Sequence, residues 1–355
     1  MGFREYLQRQ PVLPAPMCGI SDFPFREICR RAGAELTTTQ MVASEAVVRN
    51  PNLDKSLEVL DMDAGCVEAN VGVQVFGAEP EALARACEVV QERGAAWIDL
   101  NMGCPATKIT CSRSGSALLK DLPRVARILK AMRAVTRVPL TVKLRWDWDD
   151  KAAESGQPAA LEAVRIAEAE GLDGVCLHAR TRAQGYSGAA NWELIGALKA
   201  AVKLPVIGNG DIRQPADALA MMRQSGCDAV MIGRALIGDP WLLGETLTAV
   251  RSGEAPATRR GPDWEMRRQM MLAHAGAMVA RRGERALVLF RKHAVAYLRG
   301  VQGGKRVRER LMQALTWAEF EDLLARDPAL ADEYQEAGAT IGTGTALPMT
   351  QARED

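Results

Sequence analysis

The sequence predicts a (β/α)₈ barrel followed by a small all-helical domain. Three observations carry this reading. Short β-prone runs and helical stripes alternate eight times over roughly 240 residues, the usual extent of such a barrel. Polar or flexible residues recur at the carboxyl end of nearly every β-prone run. After Trp241 the texture changes, and the later apolar stripes are all helical. A doubly wound open sheet is the alternative, but no G-x-G-x-x-G opens an early helix.

Taken in order, Val12 to Met17 reads as the first strand, followed by a helix with Asp22 as N-cap and Phe25, Ile28 and Cys29 on one face, ending near Gly33. Leu36 to Met41 is the second strand and Val71 to Phe76 the third, with polar Gln74 interrupting its apolar run. From Glu79 to Arg93, Leu83, Ala86, Cys87 and Val90 keep helical spacing. Trp97, Ile98 and Leu100 form a fourth strand running into Asn101-Met102-Gly103-Cys104-Pro105, with Lys108 and Ser114-Gly115-Ser116 beyond. A helix with Val125, Ile128, Leu129, Met132 and Val135 leads to the strand Pro139 to Arg145. Helices near 161–170, 192–202 and 215–224 then separate the strands 174–178, 205–209 and 229–233.

The barrel is expected over 1–250, a linker over 251–262, a basic helical domain over 263–330, and a disordered, aperiodic tail over 331–355. In the helical domain, the stripes expected to pack are Met266, Met270, Leu272 and His274; Val288, Phe290, Val295 and Leu298; and Leu311, Leu315, Phe320, Leu323 and Leu324.

Of the 355 residues, 48% are hydrophobic and 25% charged, enough apolar material for a sizeable core. No stretch has the length of a signal peptide or membrane span, so a cytoplasmic protein is expected. The eight cysteines contain no C-x-x-C pair and the chain has only three histidines, which argues against a disulfide framework and against a metal centre. The net charge of +1 is unevenly distributed. Between Arg259 and Arg310, twelve Arg and two Lys face four acids, a local charge of +10 against −9 elsewhere. Such segregation fits a polyanionic partner, although a solvated helix surface has the same composition.

Working groups of a barrel sit at the strands' carboxyl ends. There Cys104 is held between Gly103 and Pro105, on a stiff turn that suits a reactive thiol as well as a buried structural one. Asn209-Gly210-Asp211 and Gly233-Arg234 follow the seventh and eighth strands, where barrels commonly bind phosphate. Lys143 is a structural ion-pair partner, a Schiff-base lysine, or a fixed cation beside the electron-rich edge of a flavin. His178 is a core imidazole or a cofactor contact.

The run I-D-L-N-M-G-C-P-x-x-K, with Gly115-Ser116 following, resembles the signature of the tRNA-dihydrouridine synthases. Other family landmarks occur in order: Ala15-Pro16-Met17 with Gly19 and Asp22, Gln74, Lys143-x-Arg145, His178-x-Arg180-Thr181-Arg182, Asn209-Gly210-Asp211 and Gly233-Arg234. The resemblance spans residues 10 to 325. Met41 to Ala46, Arg291-Lys292-His293 and Tyr297-Leu298 are most similar to the bacterial B-type branch. Gln40 stands where a Glu is usual, Trp146-Asp147-Trp148 replaces x-Gly-Trp, and Cys18 occupies a variable position. These departures bear on substrate preference.

The resemblance implies FMN at the barrel mouth, NADPH as reductant, and a uridine of tRNA reduced at C5–C6. It implies Cys104 as the acid that protonates C5. By the same resemblance, Pro16, Met17, Cys18, Gln74, Lys143, His178, Asn209, Gly210, Asp211, Gly233 and Arg234 match the flavin contacts. Asn101 and Arg180 fall to the uracil, Lys108 to the RNA and Arg145 to the substrate more broadly, in an enzyme expected to be a monomer without metal. An ordinary thiol, near pKa 8.5, keeps its proton at pH 7 and releases it readily. A reductase of free pyrimidines, an RNA-binding protein with an idle barrel, and a Schiff-base aldolase remain the alternatives.

Overall fold

The computed structural model describes residues 2–49, 70–154, 156–301 and 303–325. The chain divides into two compact units, Met1–Ala257 and Thr258–Asp355. The expected tail 331–355 lies outside the described residues.

The first unit is a (β/α)₈ barrel. Its strands are β1 (Val12–Pro14), β2 (Thr37–Thr38), β3 (Val42–Ala43), β4 (Val71–Phe76), β5 (Trp97–Met102), β6 (Leu140–Arg145), β7 (Gly174–His178), β8 (Val206–Asn209) and β9 (Ala229–Ile232). All pairings are parallel, in the order β1-β9-β8-β7-β6-β5-β4-β2, with β3 also on β4. The second expected strand, Leu36 to Met41, is therefore reduced to β2, and β3 starts just past its end. Thr38 pairs with Gly72 and Val42 with Val75, so four steps on one side match three on the other. That extra residue is a bulge. It turns Gln40 toward the loop after β1, where its Oε1 accepts the Gly19 N–H at 2.8 Å. The first strand ends at Pro14, earlier than expected.

Helices cover the outside of the sheet, each started by a recognisable local signal. Asp22 caps Phe23–Arg31 by accepting the Phe25 N–H, and Asp121 caps Leu122–Val135 through the Arg124 N–H. Pro80 and Pro215 open Pro80–Glu92 and Pro215–Ser225 at positions whose N–H would have no helical partner. The helices Ala159–Ala169, Glu193–Ala201 and Trp241–Ser252 complete the ring. Their apolar faces and the outward strand residues form one continuous core. A second apolar cluster fills the barrel itself: Leu13, Leu36, Trp97, Cys176, Ile207 and Met231, closed from below by Phe3 and Leu7.

Phe3 and Leu7 belong to a helix, Phe3–Arg9, that the sequence pattern does not announce. Seven residues form too short a helix to persist alone, so its stability comes from burying those two side chains against the barrel floor. The floor is tight. A Cβ at Gly72 would lie 2.2 Å from the Trp97 indole, and one at Gly174 would lie 2.8 Å from the Phe3 ring.

The second unit contains the helices Trp264–Arg282, Ala286–Tyr297, Gly304–Leu311 and Trp317–Ala325. His274 packs against Phe290 and His293, with ring centres 5.2 and 4.5 Å apart, and Phe320 lies edge-on to Phe290 at 5.5 Å. Three residues expected in the stripes face solvent: Met266 is 43% exposed, Val288 46% and Leu315 62%. The buried face of the first helix instead runs through Trp264, Arg267, Met271 and His274. Arg267 is stable in the interior because it donates to the Pro262 and Tyr297 carbonyls, at 3.1 and 2.6 Å. Among the described residues no helix is long and apolar enough to cross a membrane.

Candidate active site at the barrel mouth

Register determines which side chains meet inside the barrel. Gln74 pairs with Asp99, Asn101 with Lys143, and His178 with Asn209, so inward groups of neighbouring strands lie at one level. Across β4, β5 and β6 they form a continuous chain of hydrogen bonds. Thr141 Oγ1 donates to Asp99 Oδ1 at 2.6 Å, and Gln74 Nε2 to Asp99 Oδ2 at 2.7 Å. Asn101 Nδ2 donates to Gln74 Oε1 at 2.8 Å. Asn101 Oδ1 then accepts the N–H groups of Gly103 (3.1 Å) and Cys104 (2.9 Å), folding the cysteine turn around its own side chain.

The far side of that turn is equally fixed. The Cys104 carbonyl accepts from Ser116 N–H at 3.2 Å and Ser116 Oγ at 2.9 Å. Gly115 has φ +61°, and a Cβ there would lie 2.9 Å from the Cys104 carbonyl oxygen. Only glycine fits. Cys104 itself is part-exposed, while Cys29, Cys87, Cys176 and Cys227 are buried. Partial burial raises the Cys104 thiol above its ordinary pKa, opposed by a backbone hydrogen bond at Ala106. At neutral pH it holds its proton.

Across the mouth, Lys143 Nζ donates to Asn209 Oδ1 at 3.0 Å, and Asn209 Nδ2 donates to the Met231 carbonyl at 2.8 Å. His178 sits beside them, held well below its ordinary pKa by burial and then by Lys143, Arg145, Arg180 and Arg234. It is neutral, and its Nε2 lies 3.2 Å from Arg180 Nη1, so Nε2 accepts and the ring proton resides on Nδ1.

Arg145 and Arg180 are both fully buried and organise the loop 181–190. Arg145 donates from Nε to the Gly103 carbonyl at 2.9 Å and from Nη1 to the Thr181 and Gly185 carbonyls, both at 2.8 Å. Burial brings its pKa down to about 10. Arg180 donates to the Ser187 and Gly188 carbonyls and pairs with Asp211 Oδ2 at 2.6 Å. That carboxylate also accepts the Ala190 N–H at 2.8 Å. Each nitrogen of Arg180 is thus engaged within the protein, whereas no bond from Arg145 Nη2 occurs among the described residues.

The loop so fastened carries Tyr186, half-exposed, with the Arg234 guanidinium 4.2 Å and the Arg145 guanidinium 5.6 Å from its ring centre. The sequence pattern does not single out Tyr186; the one available signal is a tyrosine between Gly185 and Gly188 in the loop after the strand 174–178. Asp99 also escapes notice, because it reads as one polar residue in a buried strand. Of the other expected residues, Pro16 and Met17 are part-buried at the β1 exit, with the Met17 N–H on Ser21 Oγ at 2.9 Å. Cys18 is exposed, and so is Lys108 on the short helix Thr107–Thr110. Gly210 approaches His178 closely: a Cβ there would lie 3.2 Å from its ring and 2.7 Å from Ala190. Gly233 is open, with Ala15 Cβ the nearest atom at 3.8 Å. Trp148, in the departing Trp146-Asp147-Trp148 run, stacks with Arg182 and Lys120 at 4.6 and 4.7 Å on the rim.

The arrangement offers a proton-bearing thiol on a rigid turn, facing a mouth lined with cations and open backbone. It can bind an anionic planar group and deliver a proton to something laid over it.

A family model described as Dihydrouridine synthase (Dus) matches residues 13–333. The chain is 37% identical over 308 residues to a tRNA-dihydrouridine synthase B of Pseudomonas putida, covering 86% of this chain and 88% of the relative. It is 40% identical over 283 residues to one of Xanthomonas axonopodis, covering 79% and 82%, and 37% identical over 334 residues to one of Pseudomonas aeruginosa, covering 94% of each. Among solved structures, the histamine dehydrogenase from Rhizobium sp. 4-9 shares the fold at a TM-score of 0.50 and 14% identity, over 74% of this chain and 48% of that longer one. The chain belongs to the dihydrouridine synthase family.

Proposed function

We propose that the protein reduces the C5–C6 double bond of a uridine in tRNA, with FMN at the barrel mouth and NADPH as reductant, in the cytoplasm. The observation that carries this reading is the protonated Cys104 thiol on its doubly fastened turn at the rim of a cationic mouth. The residues suit an FMN group. Gly233 leaves its backbone open, Arg234 brings positive charge, and neutral His178 offers Nδ1–H as a donor. Lys143, steered by Asn209, places a cation deeper in the barrel. Pro16, Met17 and Cys18 at the β1 exit and Asn209-Gly210-Asp211 at the β8 exit complete its surroundings.

FMN, once bound and reduced, supplies hydride to C6 of the base. The protein's own groups do the rest. Cys104 Sγ gives its proton to C5 and, being part-buried, is not drawn off as a thiolate beforehand. Arg145 has a guanidinium nitrogen to offer a uracil carbonyl. Arg180 does not, and in this reading it holds the loop that sets Tyr186 in place. Gln74 and Asn101 hold the turn and line the mouth. The target base must leave its stack, at a cost of a few kcal/mol. The second unit brings phosphate contacts: Lys305, Arg306, Arg308 and Arg310 are all exposed on Gly304–Leu311. Lys108, exposed beside the cysteine turn, approaches the RNA from the barrel side.

The test is Cys104→Ala. The variant is expected to bind FMN and oxidise NADPH as the parent does while forming no dihydrouridine in tRNA, measured by mass spectrometry of nucleosides with free uridine as control. Dihydrouridine formed at the parent rate rejects the assignment.

A further inference from the structure

We infer that Asp99 is a positioning residue for Cys104, acting by fixing the direction of the hydrogen-bond chain Asp99–Gln74–Asn101 that holds the cysteine turn. The inference rests on the reading of Cys104 as the acid. The argument is one of polarity. A primary amide has one accepting and one donating end, and can be turned by 180° at no cost in shape. Gln74 and Asn101 are two such groups in series, so their orientation must be set from one end.

At the turn, Asn101 must present oxygen, because it meets the N–H groups of both Gly103 and Cys104. That points its nitrogen at Gln74, which must then present oxygen in return and its own nitrogen to Asp99. Both Asp99 oxygens accept, one from Gln74 and the other from Thr141. Burial raises its pKa, and these two hydrogen bonds together with nearby Lys143 oppose the shift and favour the carboxylate, which only accepts. Asp99 therefore admits a single orientation of Gln74, the one compatible with the turn. Reversing either amide would set donor against donor or acceptor against acceptor within a buried layer, where Gln74 is 2% exposed and Asp99 6%. Asp99 lies two residues before Asn101 on β5, so its side chain enters the barrel one layer below. Its effect reaches Cys104 through Gln74 on the neighbouring strand.

Isosteric variants test direction apart from charge. In Asp99→Asn, the amide oxygen can still accept from Gln74 while its nitrogen donates to Thr141 Oγ1, so the chain keeps its sense. In Thr141→Val, the carboxylate still accepts from Gln74. In the double variant the new amide nitrogen at position 99 has no Thr141 hydroxyl to donate to, and that side chain no longer dictates which of its ends faces Gln74. The measurement is the rate at which iodoacetamide alkylates the Cys104-bearing peptide of the full-length protein, followed by mass spectrometry, together with kcat and KM on tRNA. Both single variants should alkylate near the parent rate. The double variant, and Asp99→Leu, should alkylate about tenfold faster and lose roughly 10²-fold in kcat with KM little changed, the scale expected of a reacting group displaced by about 1 Å. Additive behaviour in the double variant overturns the inference, as does an Asp99→Asn protein as impaired as Asp99→Leu, which would make the negative charge the essential feature. Alkylation is independent of turnover. Should Cys104→Ala retain full activity, the acid assignment fails while the alkylation result still decides whether Asp99 directs the turn.

Discussion

Gly115→Ala should separate the position of the reactive thiol from the stability of the barrel. Gly115 adopts φ +61°, where an alanine costs about 1–2 kcal/mol. Its new Cβ would also lie 2.9 Å from the Cys104 carbonyl oxygen and 3.3 Å from Cys104 Cβ. The carbonyl is backbone and is already held by two donors from Ser116, so it cannot swing aside like the end of a flexible side chain. The turn must move by several tenths of an ångström, taking Cys104 with it. The expected loss is about 2–3 kcal/mol of stability and roughly 10- to 10²-fold in kcat. Gly94→Ala is the matched control. Gly94 has φ +90°, so the backbone strain is similar, but nothing lies within 4 Å of a Cβ there. Urea unfolding and single-turnover dihydrouridine formation should therefore part company: both variants lose stability, and only Gly115→Ala loses rate. Equal rates in the two variants, or an equal drop in both, would refute the view that crowding of the Cys104 carbonyl matters.

Further outcomes follow from other parts of the molecule. Gly72→Ala forces a methyl to within 2.2 Å of the Trp97 indole and should cost about 1–3 kcal/mol by urea unfolding, partly recovered by Trp97→Leu; an unchanged midpoint would show that the floor is slack. His274, pushed down to about 3 by burial and then by Lys292, and His293, lowered by burial, His274 and Lys292, are both neutral when folded. Since the unfolded side chains titrate near 6.5, their contribution is complete above that pH and is lost as pH falls toward 3. Helical signal and thermal midpoint should decline with acid through that window, less so in His293→Phe; a midpoint that stays flat from about pH 6.5 to 4 contradicts this. Neutralising Lys305, Arg306 and Arg308 to Gln should weaken tRNA binding and flatten its salt dependence by about one unit of slope for each phosphate neutralised by the parent side chains, as measured by filter binding. An unaltered slope would remove that helix from the proposed RNA-binding surface.

The barrel is legible in the sequence because its rules are local. Apolar runs of strand length, helical spacing of apolar residues and Asp22 at an N-cap each mark an element with no knowledge of what it touches. The exits of those strands are legible for the same reason, since a (β/α)₈ barrel assigns a place to whatever follows each strand. What cannot be read depends on partners distant in the chain. Phe3–Arg9 is a helix only because the barrel floor needs Phe3 and Leu7. The break between β2 and β3 is a mismatch with β4, not a property of Leu36 to Met41 taken alone. The stripe expected through Met266 gives way to one through Arg267, which finds two carbonyls, one of them thirty residues away. Within the site, the sequence places Cys104, Lys143 and His178 at the carboxyl ends of strands, and the structure has them there. What Arg180 and Asp99 bond to is not legible, since their partners come from other strands and loops.

Among the described residues, Phe3, Leu7, Trp97 and Leu13 pack together and close the floor of the barrel, opposite the strand exits that form its mouth. On the proposed chemistry, reductant and nucleic acid must then take turns at the same threshold, and the first visitor has to depart before the second can settle. Steady-state kinetics should accordingly give parallel double-reciprocal lines, with each substrate at high concentration obstructing the other.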